Sequence, residues 1–290
     1  MMIHPRPLFK LSKSYAHTNL LTLNLNSNMI RRSMITLRNL TKEFGPQVAV
    51  SQLNLEIADG QLVGLLGPNG AGKSTTIKML TGMLLPTSGT AEINGFDVVN
   101  DPLAVKRIIG YVPETGAVFE SLTAWEYLHL VAALYHIPED EANERIEQFG
   151  QFFDLATSTL QDKQLSAYSK GMRQKVVITS ALLHNPKIVF LDEPLNGLDA
   201  NAALSLKTLI TSLAREGKTI VYCSHILDVV ERICERVIII HQGSIVADGT
   251  VPQLLEQTGQ KSLEHVFNKL TATENLLSRA EEFARVLAAE

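Results

Sequence analysis

Between Leu62 and Thr76 the chain runs LVGLLGPNGAGKSTT, an apolar run, a glycine loop and a helix opening in consecutive residues. Leu62 to Leu66 reads as a buried strand. It feeds Gly67-Pro68-Asn69-Gly70-Ala71-Gly72-Lys73-Ser74, a full match to the phosphate-binding loop pattern, and Thr75 to Leu80 reads as the start of a helix. Gly67, Gly70 and Gly72 let the backbone curl so that successive N–H groups face inward and form an anion nest. The helix N-terminus adds roughly half a positive charge at the same place. Lys73 is suited to reach the β- and γ-phosphates, and the Ser74 hydroxyl to ligate Mg²⁺. A chance glycine turn does not account for a strand before and a helix after, so nucleotide binding by residues 67–75, Thr75 included, is the first expectation.

A second stretch narrows the chemistry. Ile188-Val189-Phe190-Leu191 suits a central parallel strand buried on both faces, and it closes on Asp192-Glu193-Pro194. Open α/β sheets bind their ligands at the C-terminal ends of such strands. Asp192 is placed to hold Mg²⁺ through water, and Glu193 to orient or deprotonate an attacking water.

Between these motifs lies Tyr168-Ser169-Lys170-Gly171-Met172-Arg173-Gln174. With this stretch, in this order, the chain resembles an ABC ATPase from about Met34 to its C-terminus; the family's defining motif is usually written LSGGQ. The resemblance implies a P-loop NTPase core, a mainly parallel sheet flanked by helices, with an antiparallel β subdomain and an inserted helical subdomain. It implies ATP and Mg²⁺ as ligands and two nucleotides sandwiched head to tail between two subunits. Ser169, Lys170, Gly171 and Met172 would then touch the nucleotide of the opposite subunit, as would Asp199 in Gly197-Leu198-Asp199. Physics agrees in part: Ser169 is a good N-cap for a helix over Met172 to His184, closed by Asn185-Pro186, and Asp199 also suits an N-cap. By the same resemblance Phe44 stacks on adenine, and His225, after the apolar strand Thr219 to Tyr222, contacts γ-phosphate and serves with Glu193 and Lys73 in catalysis.

The chain also departs from the family pattern. Glu114 stands where most members carry a glutamine near Mg²⁺ and the permease contact, and a carboxylate there would hold the metal more strongly. Lys170 and Met172 replace a glycine and a glutamine. A cation at a helix N-terminus costs about 0.3–1 kcal/mol against the dipole, which an anion held across an interface would offset. Glu114, YSKGM and the C-terminal stretch Ser262 to Thr271 together resemble the branch serving simple exporters, with permease and ATPase on separate chains.

Composition sets the outer limits. A net charge of -4 gives no basic surplus, so no nucleic-acid partner is expected. No stretch reaches the ~18 apolar residues of a membrane span, so if the protein works at a membrane another chain must do the spanning; the resemblance implies that this is a transmembrane permease subunit. By the same resemblance the ATPase would be cytoplasmic, peripheral on the cytoplasmic face of the inner (plasma) membrane through its permease. Cys223 and Cys234 lack metal-ligand spacing and read as reduced thiols. No second phosphate loop is present, so two active sites require a second ATPase subunit, identical or paralogous.

Residues 1–33 contain no Asp or Glu and resemble a transit peptide, yet Met34 leads directly into the first strand. A start assigned too far upstream is the preferred reading, and the segment is expected to stand outside the fold. Residues 34–250 form the expected ATPase domain, with the helical subdomain at about 115–170 and a helical tail over 251–290 that ends in a helix from Leu276 to Ala289. A soluble ABC ATPase of the cluster-assembly type stays open as the alternative.

Overall fold

The computed structural model describes residues 33–271. The chain opens with the long hairpin β1 (Ser33–Phe44) and β2 (Gln47–Ala58), then passes through β3 (Leu62–Leu66) into α1 (Lys73–Leu80). β4 (Ser88–Ile93) and β5 (Phe96–Asp97) follow, with α2 (Pro102–Ile108) and β6 (Ile109–Val112). Next come α3 (Ala124–Leu134), α4 (Glu139–Phe152), α5 (Thr157–Asp162) and α6 (Lys170–Leu182). The remainder alternates as β7 (Ile188–Asp192), α7 (Ala200–Arg215), β8 (Thr219–Cys223) and α8 (Leu227–Ile233). It closes with β9 (Arg236–His241), β10 (Ser244–Gly249), α9 (Val251–Thr258) and α10 (Leu263–Thr271).

These strands form an antiparallel sheet in the order β2-β1-β4-β5 and a larger sheet in the order β10-β9-β3-β8-β7-β6. The larger sheet is parallel apart from its β9–β10 hairpin. All five residues of β3 are buried, as are all five of β7. Both are central strands covered on both faces, which is why their apolar runs are continuous rather than alternating. Alternation still sorts their side chains. Val63, Leu65, Ile188 and Phe190 join the core shared with β1, β2 and α1. Leu62, Leu66, Val189 and Leu191 join the opposite core with α6 and α7.

Helices α3 to α5 enclose a third cluster of Ala124, Leu128, Ile146 and Leu160, closed by Val176 and Leu183. It is a small satellite core beside the two larger clusters. Its first helix starts at a capping box, with the Thr123 hydroxyl accepting from the Glu126 amide and the Glu126 carboxylate from the Thr123 amide.

One helix boundary differs from expectation. The helix expected over Met172 to His184 runs from Lys170 to Leu182, because Ser169 caps it directly and Asn185 turns left-handed (φ 54°) before Pro186. The β9–β10 hairpin turns at Gln242-Gly243, where φ is 47° and 77°. Two successive positive φ angles suit a tight two-residue hairpin connection, and Ser244 already belongs to β10. The expected extension at residues 1–33, apart from Ser33, and the helix at Leu276 to Ala289 lie outside the described residues.

Candidate active site

An open cleft of about 800 Å³ lies at the C-terminal ends of β3 and β7. Every residue from Gly67 to Thr75 lines it, together with Phe44, Glu114, Asp192, Glu193 and His225. The structure therefore gathers residues more than a hundred positions apart in sequence.

The phosphate loop owes its shape to its neighbours. Gly72 has φ 107°, and a Cβ there would stand 2.6 Å from the Ala49 carbonyl oxygen, so the position needs glycine on both counts. The Gly243 amide donates to the Ala71 carbonyl at 2.9 Å, and the Ser51 amide to the Gly243 carbonyl at 2.8 Å. The β9–β10 turn and β2 thus hold the loop from outside. Within it, the buried Lys73 ammonium donates to the carbonyls of Gly67 (2.6 Å) and Pro68 (3.1 Å). Those carbonyls keep the cation aimed into the loop, where phosphate oxygens are stronger acceptors.

Asp192 ends β7 opposite Cys223 of β8 and is almost fully buried. Burial pushes its carboxyl above the usual carboxylate range, and the neighbouring Glu114 and Glu193 charges push the same way. Ser74 and Lys73 oppose the shift, the former through a side-chain hydrogen bond. A divalent cation at this point would relieve the crowding of negative charge. The donors fit Mg²⁺: a hydroxyl and one carboxylate are what an ion needs when it keeps waters and shares the substrate's phosphates. Among the described residues no group of three or more His, Cys, Asp or Glu side chains forms a metal cage of its own.

Glu193 adopts φ 49°, an unfavourable value for a residue with a Cβ that costs about 1–3 kcal/mol. Its amide donates to the Cys223 carbonyl at 3.0 Å, and this tie to β8 helps keep the turn in place. The consequence is a buried carboxylate aimed at the residues that follow β8. One oxygen meets His225 Nδ1 at 2.8 Å, and the other accepts from the Ser224 hydroxyl at 3.3 Å. Ser224 in turn accepts from the Ile226 amide at 3.0 Å. Sequence reasoning missed Ser224: its partner is 31 residues away, so no local spacing announces it.

Phe44 is half exposed at the cleft edge, with Lys42 Nζ 5.1 Å from its ring centroid. A half-exposed ring is available for stacking on an aromatic base. Phe267 of α10 also lines the cleft and was not anticipated as a site residue.

Ser169, Lys170, Gly171, Met172 and Asp199 do not line this cleft. Ser169 caps α6 by accepting from the Met172 amide, and Asp199 caps α7 by accepting from the Ala202 amide at 2.9 Å. That amide bond, with the Lys175 ammonium 3.4 Å away, holds the exposed Asp199 carboxyl below its usual range. The two loops touch: a Cβ on Gly171 would stand 2.5 Å from the Gly197 carbonyl oxygen, and Lys170 lies along Gly197. Gln174 ties them to the carboxylate strand by donating to the Pro194 carbonyl at 3.2 Å.

The family signature of the ABC transporters matches residues 50–196, half of the chain. The chain belongs to the ABC transporter family. It is 37% identical to the ABC transporter ATP-binding protein NatA of Bacillus subtilis over 81% of this chain and 96% of that one. An uncharacterized ABC transporter ATP-binding protein of Nostoc is 39% identical over 76% of this chain, which spans 64% of that relative's length. The linearmycin resistance ATP-binding protein LnrL of Bacillus subtilis is 34% identical over 78% of this chain and 72% of its own. Among solved structures, an ATP-binding subunit of an ABC transporter superposes with a TM-score of 0.77 at 33% identity, covering 82% of this chain and 99% of that one. A dimeric ABC cassette in a post-hydrolysis state with ADP and Pi matches with a TM-score of 0.69 at 26% identity, over 75% and 98% of the two chains. The chain is thus an ABC-type ATPase, and the cleft at β3 and β7 carries the residues suited to that reaction.

Proposed function

We propose that this ABC ATPase energises a separately encoded transmembrane permease, in the direction of export, as a sandwich of two ATPase subunits around two MgATP. The observation that supports it is a second groove of about 280 Å³, lined by Met83, Tyr111, Leu134, Tyr135 and His184 among others. Met83 and Leu134 are 62% and 69% exposed there, apolar surface that suits an apolar partner. Tyr111 lines this groove, and Glu114, three residues further on, lines the nucleotide cleft. A partner seated in the groove is therefore one short segment away from the phosphates. Among the described residues no helix is long and apolar enough to cross a membrane, so a membrane role falls to that partner. Export is favoured by the resistance role in the name of LnrL.

In the proposed cycle the backbone amides of residues 67–75 and the Lys73 ammonium bind the β- and γ-phosphates, while Phe44 takes the adenine. Ser74 and Asp192, with Glu114 beside them, would hold Mg²⁺, which would supply charge neutralisation to the phosphates. Glu193 accepts a proton from water as its oxygen attacks the γ-phosphorus and the bond to the β-phosphate oxygen breaks, leaving ADP and phosphate. His225 and Ser224 hold Glu193 for that transfer. Ser169, Lys170, Gly171, Met172 and Asp199 face the nucleotide of the second subunit, which is consistent with their standing outside this chain's own cleft.

Affinity purification of the tagged chain from detergent-solubilised membranes tests the partner. Stoichiometric recovery of a polytopic membrane protein is expected, and its loss with Leu134→Asp would place the contact in the groove. A soluble partner instead would overturn the permease reading.

A further inference from the structure

The stretch Ser262 to Thr271, noted in the sequence only for its family flavour, folds as α10 and reaches the nucleotide cleft. Leu263 and Val266 are fully buried in the core beneath it. Phe267, the next position, packs against the same core while lining the cleft with His225 and Glu193. The Ser262 hydroxyl caps the start of the helix, bonding His265 Nδ1 at 2.7 Å, and the Lys269 ammonium ties its far end to α9 by donating to the Thr258 carbonyl at 2.9 Å. It packs on α8, whose first residue, Leu227, follows His225 by two positions.

We propose that Phe267 is a positioning residue for the Glu193–His225 pair, and that through it α10 registers whether the cleft holds nucleotide. This rests on the reading that the cleft at the phosphate loop is where ATP binds. His225 is 62% exposed, so its bond to Glu193 competes with water wherever nothing covers it. As part of the wall of the same cleft, the Phe267 ring would exclude water from its side and limit how far the imidazole and the start of α8 can swing. In a drier setting the same hydrogen bond holds more firmly. Because Leu263 and Val266 anchor the other face of α10, a nucleotide that buries Phe267 restrains the whole helix. The C-terminal segment would then change its mobility with each turnover.

The test uses the full chain carrying Glu193→Gln, with amide hydrogen exchange followed with and without MgATP. Exchange in 263–271 is expected to slow by about tenfold alongside the phosphate-loop amides, as partial restraint of a marginal helix allows. Protection of the phosphate loop with no change in 263–271 would overturn the proposal while leaving the nucleotide site standing. No protection at the phosphate loop would refute the site assignment itself, and the proposal with it. In the otherwise native enzyme, Phe267→Ala is expected to lower kcat about tenfold with KM for ATP within about twofold, as lost transition-state positioning requires, and Phe267→Leu to restore most of it. Leu263→Ala, on the core face of the same helix, should lower Tm without that kcat split. Equal kinetic effects from the two positions would show that α10 acts on stability alone.

Discussion

Replacing Ser224 by alanine is the most informative small change in this site. The hydroxyl is 1% exposed, donates to a Glu193 oxygen at 3.3 Å and accepts from the Ile226 amide at 3.0 Å. Its removal leaves the Ile226 N–H without that acceptor, which costs about 1–3 kcal/mol, and ends a long bond to a carboxylate worth about 1 kcal/mol. A total of about 2–4 kcal/mol corresponds to a Tm lowered by about 4–16 °C for a domain of this size. The catalytic effect has a different signature. Ser224 does not line the nucleotide cleft, so KM for ATP should hold. Glu193 would keep only the partly exposed His225 as a side-chain partner, and about 1.4 kcal/mol of lost positioning is a tenfold fall in kcat. Steady-state ATPase assays and thermal unfolding on the same preparation decide it. A lowered Tm with unchanged kcat would refute the reasoning, because the serine would then serve only the β8 turn.

Other expected outcomes are as direct. Lys73→Ala should abolish measurable ATP binding in calorimetry and loosen the loop whose carbonyls it now holds at Gly67 and Pro68; unchanged affinity would place the phosphates elsewhere. Asp192→Asn should abolish Mg²⁺-dependent ATPase activity yet raise stability without nucleotide. The sign follows from burial: a carboxyl held above its unfolded value near 3.8 loses stability as pH rises through its folded value, so the gain should be present at neutral pH and vanish in acid. His184 behaves oppositely. Burial first, then the charges of Lys218 and Arg145, lower its imidazole, against a bond from Nε2 to the Ile109 carbonyl. Its stability contribution is therefore present above about pH 6.5 and lost as pH falls; His184→Gln should flatten urea-denaturation stability between pH 7 and pH 5.

Much of this molecule was legible in one sequence because the decisive features are local. Gly67 to Ser74 is contiguous, and β3 and β7 declare themselves as apolar runs because both faces are covered. N-caps at Ser169 and Asp199 could be read from residue type and appear as such. What escaped depends on chain reversals that bring distant positions together. Ser224 acquires its meaning only when β7 and β8 lie side by side, and Gln174 only when α6 crosses the loop at Pro194. Phe267 sits about two hundred positions from the phosphate loop, on a helix whose amphipathic pattern says core and nothing of a cleft. The left-handed backbone of Glu193 carries no residue-type signal, since glutamate has no preference for it.

The central claim is that ATP closes two copies of this chain, or this chain and a paralogue, into a sandwich that Glu193 reopens by hydrolysis. Glu193→Gln keeps the side chain's shape and removes its ability to take the proton. Light scattering on the purified variant at saturating MgATP is the most direct measurement. The account predicts a shift from monomer to dimer that reverses when Mg²⁺ is chelated and that Lys73→Ala prevents. A variant that binds MgATP and stays monomeric would contradict it.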